Sequence, residues 1–223
     1  MSIKKIIVFV ILSLVIFGGV YITGFGLIEH SRLSGVERGF YNRPEDLADG
    51  LNIKGSIETV TKLLGSEEIK RSIMGLSIGG KARRYYFALP LGYAENKDDQ
   101  KYCVISAVDP KDVEALKSLL KNSPAPSDPN APRFEFRGLV TNSPLNVQTS
   151  LTEYLREIYE NEFYIYAHKN VSNNIAPYTI YVKTKSDENS AITITIGLIV
   201  TLVGLGLLIP LAARTYRKAH MYD

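Results

Sequence analysis

Tryptophan is absent and cysteine occurs once, at Cys103, so no intramolecular disulfide can form and the fold must rest on packing. Histidine is almost as scarce. His30, His168 and His220 are too dispersed to frame a metal site, and no Gly-x-Ser-x-Gly elbow or similar nucleophile context accompanies His168. No metal and no cofactor is expected. A basic excess is missing where nucleic acid would need it: residues 29–190 hold 21 Lys and Arg against 22 Asp and Glu, about −1 net. Nucleic acid is therefore not an expected partner. Ionisable residues are also missing from the two long apolar runs, residues 6–28 and 191–213, which argues against a proton or ion pathway through them.

Those two runs are the most informative feature present. Each is about 23 residues, enough at 1.5 Å per residue to cross a hydrocarbon core of roughly 30 Å with some tilt. Lys4 and Lys5 precede the first, while Arg214, Arg217 and Lys218 follow the second. Lys and Arg close to helix ends stay on the cytoplasmic side, so both termini are expected there and the central segment outside or in a lumen. The expected organisation is a cytoplasmic tail over 1–5, a transmembrane helix over 6–28, an extracytoplasmic domain over 29–190, a second transmembrane helix over 191–213 and a basic cytoplasmic tail over 214–223. A cleaved signal peptide is the alternative for the first run, but Phe17 is followed by GGVYITGFGLIEH, still mostly apolar and without a clean small-x-small site. Thr193, Gly197 and Thr201 recur every four residues and let a second helix approach closely; the expected neighbour is the first span, with Gly18, Gly19 and Gly24.

Between the spans, residues 30–50 read as a polar, turn-rich connector. LNIKGSIETVTKL alternates as a strand in which Gly55 marks a bend or bulge, and SEEIKRSIMGLSIGG fits either helix or strand. ARRYYFALPL and KYCVISAV are expected to pair antiparallel across the loop GYAENKDDQ. DPKDVEALKSLLKN is a helix with Pro110 at its first position and an inner stripe of Val113, Leu116, Leu119 and Leu120. SPAPSDPNAP, with Pro at 124, 126, 129 and 132, is an exposed connector. RFEFRGLVT is a strand with Phe134, Phe136 and Gly138 on one face. Ser150 and Glu153 form a capping box opening a second helix, and EFYIYAH and PYTIYVKTK are strand-like.

Few residues carry chemistry. Cys103, Ile105 and Ala107 share a strand face, so Cys103 reads as a buried structural thiol, with a reactive or intermolecular role as the alternative. The acidic pairs Glu67–Glu68 and Asp98–Asp99 read as solvated surface rather than acid–base pairs. Lys81, Arg83 and Arg84 run into Tyr85, Tyr86 and Phe87, the densest basic–aromatic cluster, and Arg83, Arg84, Tyr85 and Tyr86 are the candidate binding residues for an anionic headgroup or polymer. An ordinary strand with one exposed side explains the same letters. Of the 14 tyrosines, Tyr154, Tyr159, Tyr164, Tyr166, Tyr178 and Tyr181 crowd the last third and point mildly to a partner surface.

The layout resembles uncharacterised small bacterial two-span membrane proteins that place one α+β domain outside, a resemblance of organisation that carries no site residues. The expected fold is an α+β extracytoplasmic domain of about five or six mostly antiparallel strands and two helices, flanked by two transmembrane helices. The expected function is that of a non-enzymatic accessory or binding subunit recognising an envelope protein, lipid headgroup or surface polymer. The competing class is a membrane-bound extracytoplasmic hydrolase or transferase, which needs a cleft joining His168 to Cys103, a serine or paired carboxylates.

Overall fold

A computed structural model describes residues 3–70, 81–92, 99–121, 132–162, 171–184 and 190–219. It divides into two compact units: the two terminal helices, and the domain between them. The Gly79–Gly80 turn, the centre of GYAENKDDQ, most of the proline-rich connector, EFYIYAH beyond Glu162, Asp98, His168 and His220 lie outside the described residues.

The first unit holds α1 (Ile3–Leu33) and α4 (Ser190–Ala219), within which Ile6–Ser31 and Ala191–Arg217 are long and apolar enough to cross a membrane. These two helices meet through small residues. A Cβ on Gly19 would lie 2.4 Å from Thr201 Oγ1 and 2.7 Å from its backbone nitrogen; a Cβ on Gly197 would lie 2.4 Å from Thr23 Oγ1 and 2.6 Å from the Thr23 nitrogen. No side chain larger than hydrogen fits either place without separating the helices. The contact is reciprocal, a Gly-x-x-x-Thr step on each helix facing its counterpart. Thr23 and Thr201 donate their hydroxyls to the carbonyls of Gly19 and Gly197, at 2.9 and 2.8 Å, so neither brings an unsatisfied polar group into an apolar surrounding. Thr193 lies against Gly26 instead, and Gly18 and Gly24 have nothing near them on the Cβ side.

The domain is an α+β fold on a seven-stranded sheet: β1 (Glu37–Phe40), β2 (Asn52–Ile57), β3 (Lys62–Lys70), β4 (Lys81–Leu91), β5 (Lys101–Ala107), β6 (Phe134–Asn142) and β7 (Ile175–Val182). Their spatial order is β1-β2-β6-β7-β5-β4-β3, antiparallel except for the β1–β2 and β5–β7 pairs. Helix α2 (Pro110–Lys121) and helix α3 (Leu145–Glu162) pack on opposite faces. Under α2, Val113, Leu116 and Leu119 meet Phe87, Leu89, Cys103, Ile105, Phe134, Phe136, Val140 and Ile180. Under α3, Val147, Leu151, Leu155 and Tyr159 meet Tyr86, Ala88, Val104 and Val171. Each fully buried aliphatic residue of these clusters contributes roughly 1.5–3 kcal/mol of transfer free energy.

Several boundaries depart from the sequence reading. LNIKGSIETVTKL is two strands, not one, and residues 37–40 of the supposed connector form an additional strand, which raises the count to seven. Gly55 sits in regular register opposite Phe136 and marks no bulge; a Cβ there would fall 2.7 Å from the Phe40 carbonyl oxygen, so close approach of β1 is what requires glycine. The bulge lies between Leu63 and Gly65. Helix α3 starts five residues before Ser150: the Pro144 carbonyl accepts from the Val147 and Gln148 nitrogens, leaving Ser150 inside the helix and its capping box unused. Pro90 is tolerated in β4 because it lies beyond Ala88, the last residue paired with β3.

Both ends of the domain meet at one corner. Lys183, just past β7, donates from Nζ to the Leu33 carbonyl at 2.6 Å and lies 3.7 Å from Glu37 Oε1, while Glu37 Oε2 lies 3.7 Å from Arg137 Nε. The Lys183 side chain is 7% exposed.

Candidate functional site

The β3–β4 hairpin carries the best-defined polar assembly in the domain. Its register sets Glu67 opposite Arg84 and Glu68 opposite Arg83. Because side chains alternate across a strand, adjacent residues go to opposite faces of the sheet. The four candidate binding residues therefore do not form one patch. Arg83 and Tyr85 point to the α2 face, where Arg83 lies 3.8 Å from Glu68, Glu68 also holds Lys81 at 2.9 Å, and Lys117 Nζ sits 5.3 Å from the centre of the Tyr85 ring. Arg84 and Tyr86 point to the α3 face.

On that face a compact cluster forms. The Tyr86 hydroxyl donates to Glu67 Oε1, Arg84 Nη1 lies 3.5 Å from the same oxygen, and the Arg84 guanidinium sits 4.7 Å from the centre of the Tyr181 ring. Tyr86 is buried, and that burial pushes its hydroxyl well above the ordinary tyrosine range; the Glu67 hydrogen bond and Tyr181 push the same way, against a smaller opposing effect of Arg84. Tyr86 is thus a hydrogen-bond donor at every physiological pH. Glu67 spends one carboxylate oxygen on these two partners; the other has none among the described residues.

Beside the cluster lies a pocket of about 140 Å³, lined by Leu64, Gly65, Ser66 and Glu67 of β3, Tyr86 of β4, and Asn146, Val147 and Ser150 near the start of α3. It opens next to β3, the last strand of the sheet. Glu67, Tyr181 and the pocket were not singled out from the sequence. The available signal was the pairing of EE in one half of the hairpin with RR in the other, which needs the hairpin register to be read.

Cys103 is fully buried on the α2 face, where burial raises its thiol above the ordinary range and favours the neutral form. Glu157 on α3 lies 3.7 Å from Lys62, whose ammonium also sits 5.6 Å from the centre of the Tyr154 ring. Among the described residues no group of three His, Cys, Asp or Glu side chains is placed to hold a metal ion. Comparison with known proteins yields no matching family model and no similar curated protein.

Proposed function

We propose that the chain is a membrane-anchored, non-enzymatic binding subunit whose central domain, held outside the cytoplasm on two transmembrane tethers, recognises an envelope protein. One observation carries this reading: β3 ends the sheet as a nine-residue edge strand, its side chains largely exposed and its outer backbone groups unpaired with any other described strand. Such an edge is a template for a strand from another chain. A protein partner is favoured over an anionic headgroup or polymer because Arg83 and Arg84 lie on opposite faces and each already faces a glutamate. The excess of Lys and Arg at both termini supports placing the tails in the cytoplasm.

The test is purification of the tagged full chain from its native membrane in mild detergent, with mass spectrometry of what accompanies it. A reproducible stoichiometric envelope protein is the expected result. Recovery of the chain alone would overturn the reading.

A further inference from the structure

We propose that β3 accepts an extended strand of the partner and that the adjoining pocket reads one side chain of that strand, a neutral hydrogen-bonding residue such as Asn or Ser. This rests on the protein-partner reading and deepens it. A strand added to β3 turns every second side chain toward the α3 face, where the pocket opens along Leu64–Glu67. The bulge between Leu63 and Gly65 breaks the ladder, so the regular template is residues 65–70.

The pocket's size and charge select the occupant. About 140 Å³ holds one side chain and little more. Its hydrogen-bonding groups are the spare Glu67 oxygen, the Ser150 hydroxyl and the Asn146 amide. The Glu67 charge is already opposed by Arg84 at 3.5 Å and by the positive amino end of α3, where Asn146 and Val147 lie. An incoming cation meets Arg84 and the helix end; an incoming anion meets Glu67. A neutral donor meets neither penalty and completes the Glu67 carboxylate. A second copy of β3 fits poorly, because antiparallel pairing over residues 65–70 sets Glu67 against Glu68.

The experiment uses the full chain in lipid nanodiscs and fluorescent octapeptides of alternating Thr and Val that carry Asn, Leu, Lys or Glu at one central position, read by anisotropy. The Asn peptide is expected to bind about tenfold tighter than the Lys or Glu peptide, the worth of one well-made hydrogen bond. Ser150→Leu, which fills the pocket, is expected to abolish that preference without lowering the unfolding temperature; Ser150→Val replaces it if Leu impairs folding. An Asn peptide N-methylated along its pairing edge is expected not to bind. Equal binding of all four peptides, binding of none, or a preference that survives Ser150→Leu would overturn the inference. If the natural partner still copurifies with Ser150→Leu at full yield, the pocket inference fails while the protein-partner reading stands.

Discussion

Under α2 the buried residues described on the sheet are apolar side chains and a neutral thiol, among them Phe87, Leu89, Leu91, Cys103, Ile105, Ala107, Val140 and Ile180. Under and beside α3 the same strands show something else. Alternation along β2, β5 and β7 places Asn52, Ser106 and Thr179 on that face, and Asn174 bonds there to the Tyr159 hydroxyl of α3, so all four buried polar residues among the described ones lie on one side of the sheet. The clusters around Glu67 and Lys183 are on that side too. One face is thus built to exclude water and hold the fold, and the other carries hydrogen-bonding groups that packing alone does not need. Buried polar groups cost free energy unless paired, so their concentration on one face marks where specificity rather than bulk stability resides.

Alkali sharpens this contrast most. Cys103 on the α2 face, and Tyr86 and Tyr154 on the α3 face, are all raised by burial above their ordinary values of 9.0 and 10.0. The folded state therefore holds protons that the unfolded chain releases, and stability is full below pH 9 and falls as pH rises. The loss is expected to begin near pH 9 through Cys103 and to steepen above pH 10 through the two tyrosines. Urea unfolding of Cys103→Ala at stepped pH should lose only the first part; a profile unchanged by the substitution would remove Cys103 from the account.

Leu116→Ala on the dry face is expected to cost about 3 kcal/mol, within the usual 2–5, because Leu116 is fully buried and its neighbours cannot all collapse into the space. A cost below 1 kcal/mol would mean that the α2 face is loosely packed. Tyr86→Phe on the other face should cost about 1 kcal/mol, since the lost bond is to a carboxylate that water still reaches.

Ser106→Ala is expected to stabilise by up to about 1 kcal/mol, because the Ser106 hydroxyl is buried with no hydrogen-bond partner among the described residues. Destabilisation of similar size in thermal melts would show that the hydroxyl is satisfied in solution. The smallest effect separates two adjacent residues: Arg83→Ala should stay within about 0.5 kcal/mol, whereas Arg84→Ala, which loses both Glu67 and the Tyr181 ring, should cost about 1 kcal/mol. Equal costs would break the division of the hairpin between two faces.

Much of the fold was legible in the chain because it is local. Pro110 and the stripe of Val113, Leu116 and Leu119 announce α2, and the alternation of ARRYYFALPL and KYCVISAV announces β4 and β5 together with the burial of Cys103. What was misread depended on distant partners. Glu37–Phe40 has little strand character and is a strand because β2 lies beside it. Gly55 looks like a bulge former but is required by the nearness of Phe40. Ser150 and Glu153 have the letters of a cap, yet the helix had already begun after Pro144. For the candidate site, Arg84 and Tyr86 stand out in the chain whereas Glu67 reads as solvated surface, since nothing in EE by itself says that RR stands opposite.

Period, length and composition by themselves determined two helices able to span a bilayer, an α+β domain between them, a buried cysteine and the absence of a disulfide, because each follows from the spacing of apolar residues or from counting. Only the tertiary structure decided which faces the two arginines and two tyrosines take, which strand is left at the edge, and that Lys183 and Leu33 meet, because register and strand order arise from contacts between residues far apart in the chain.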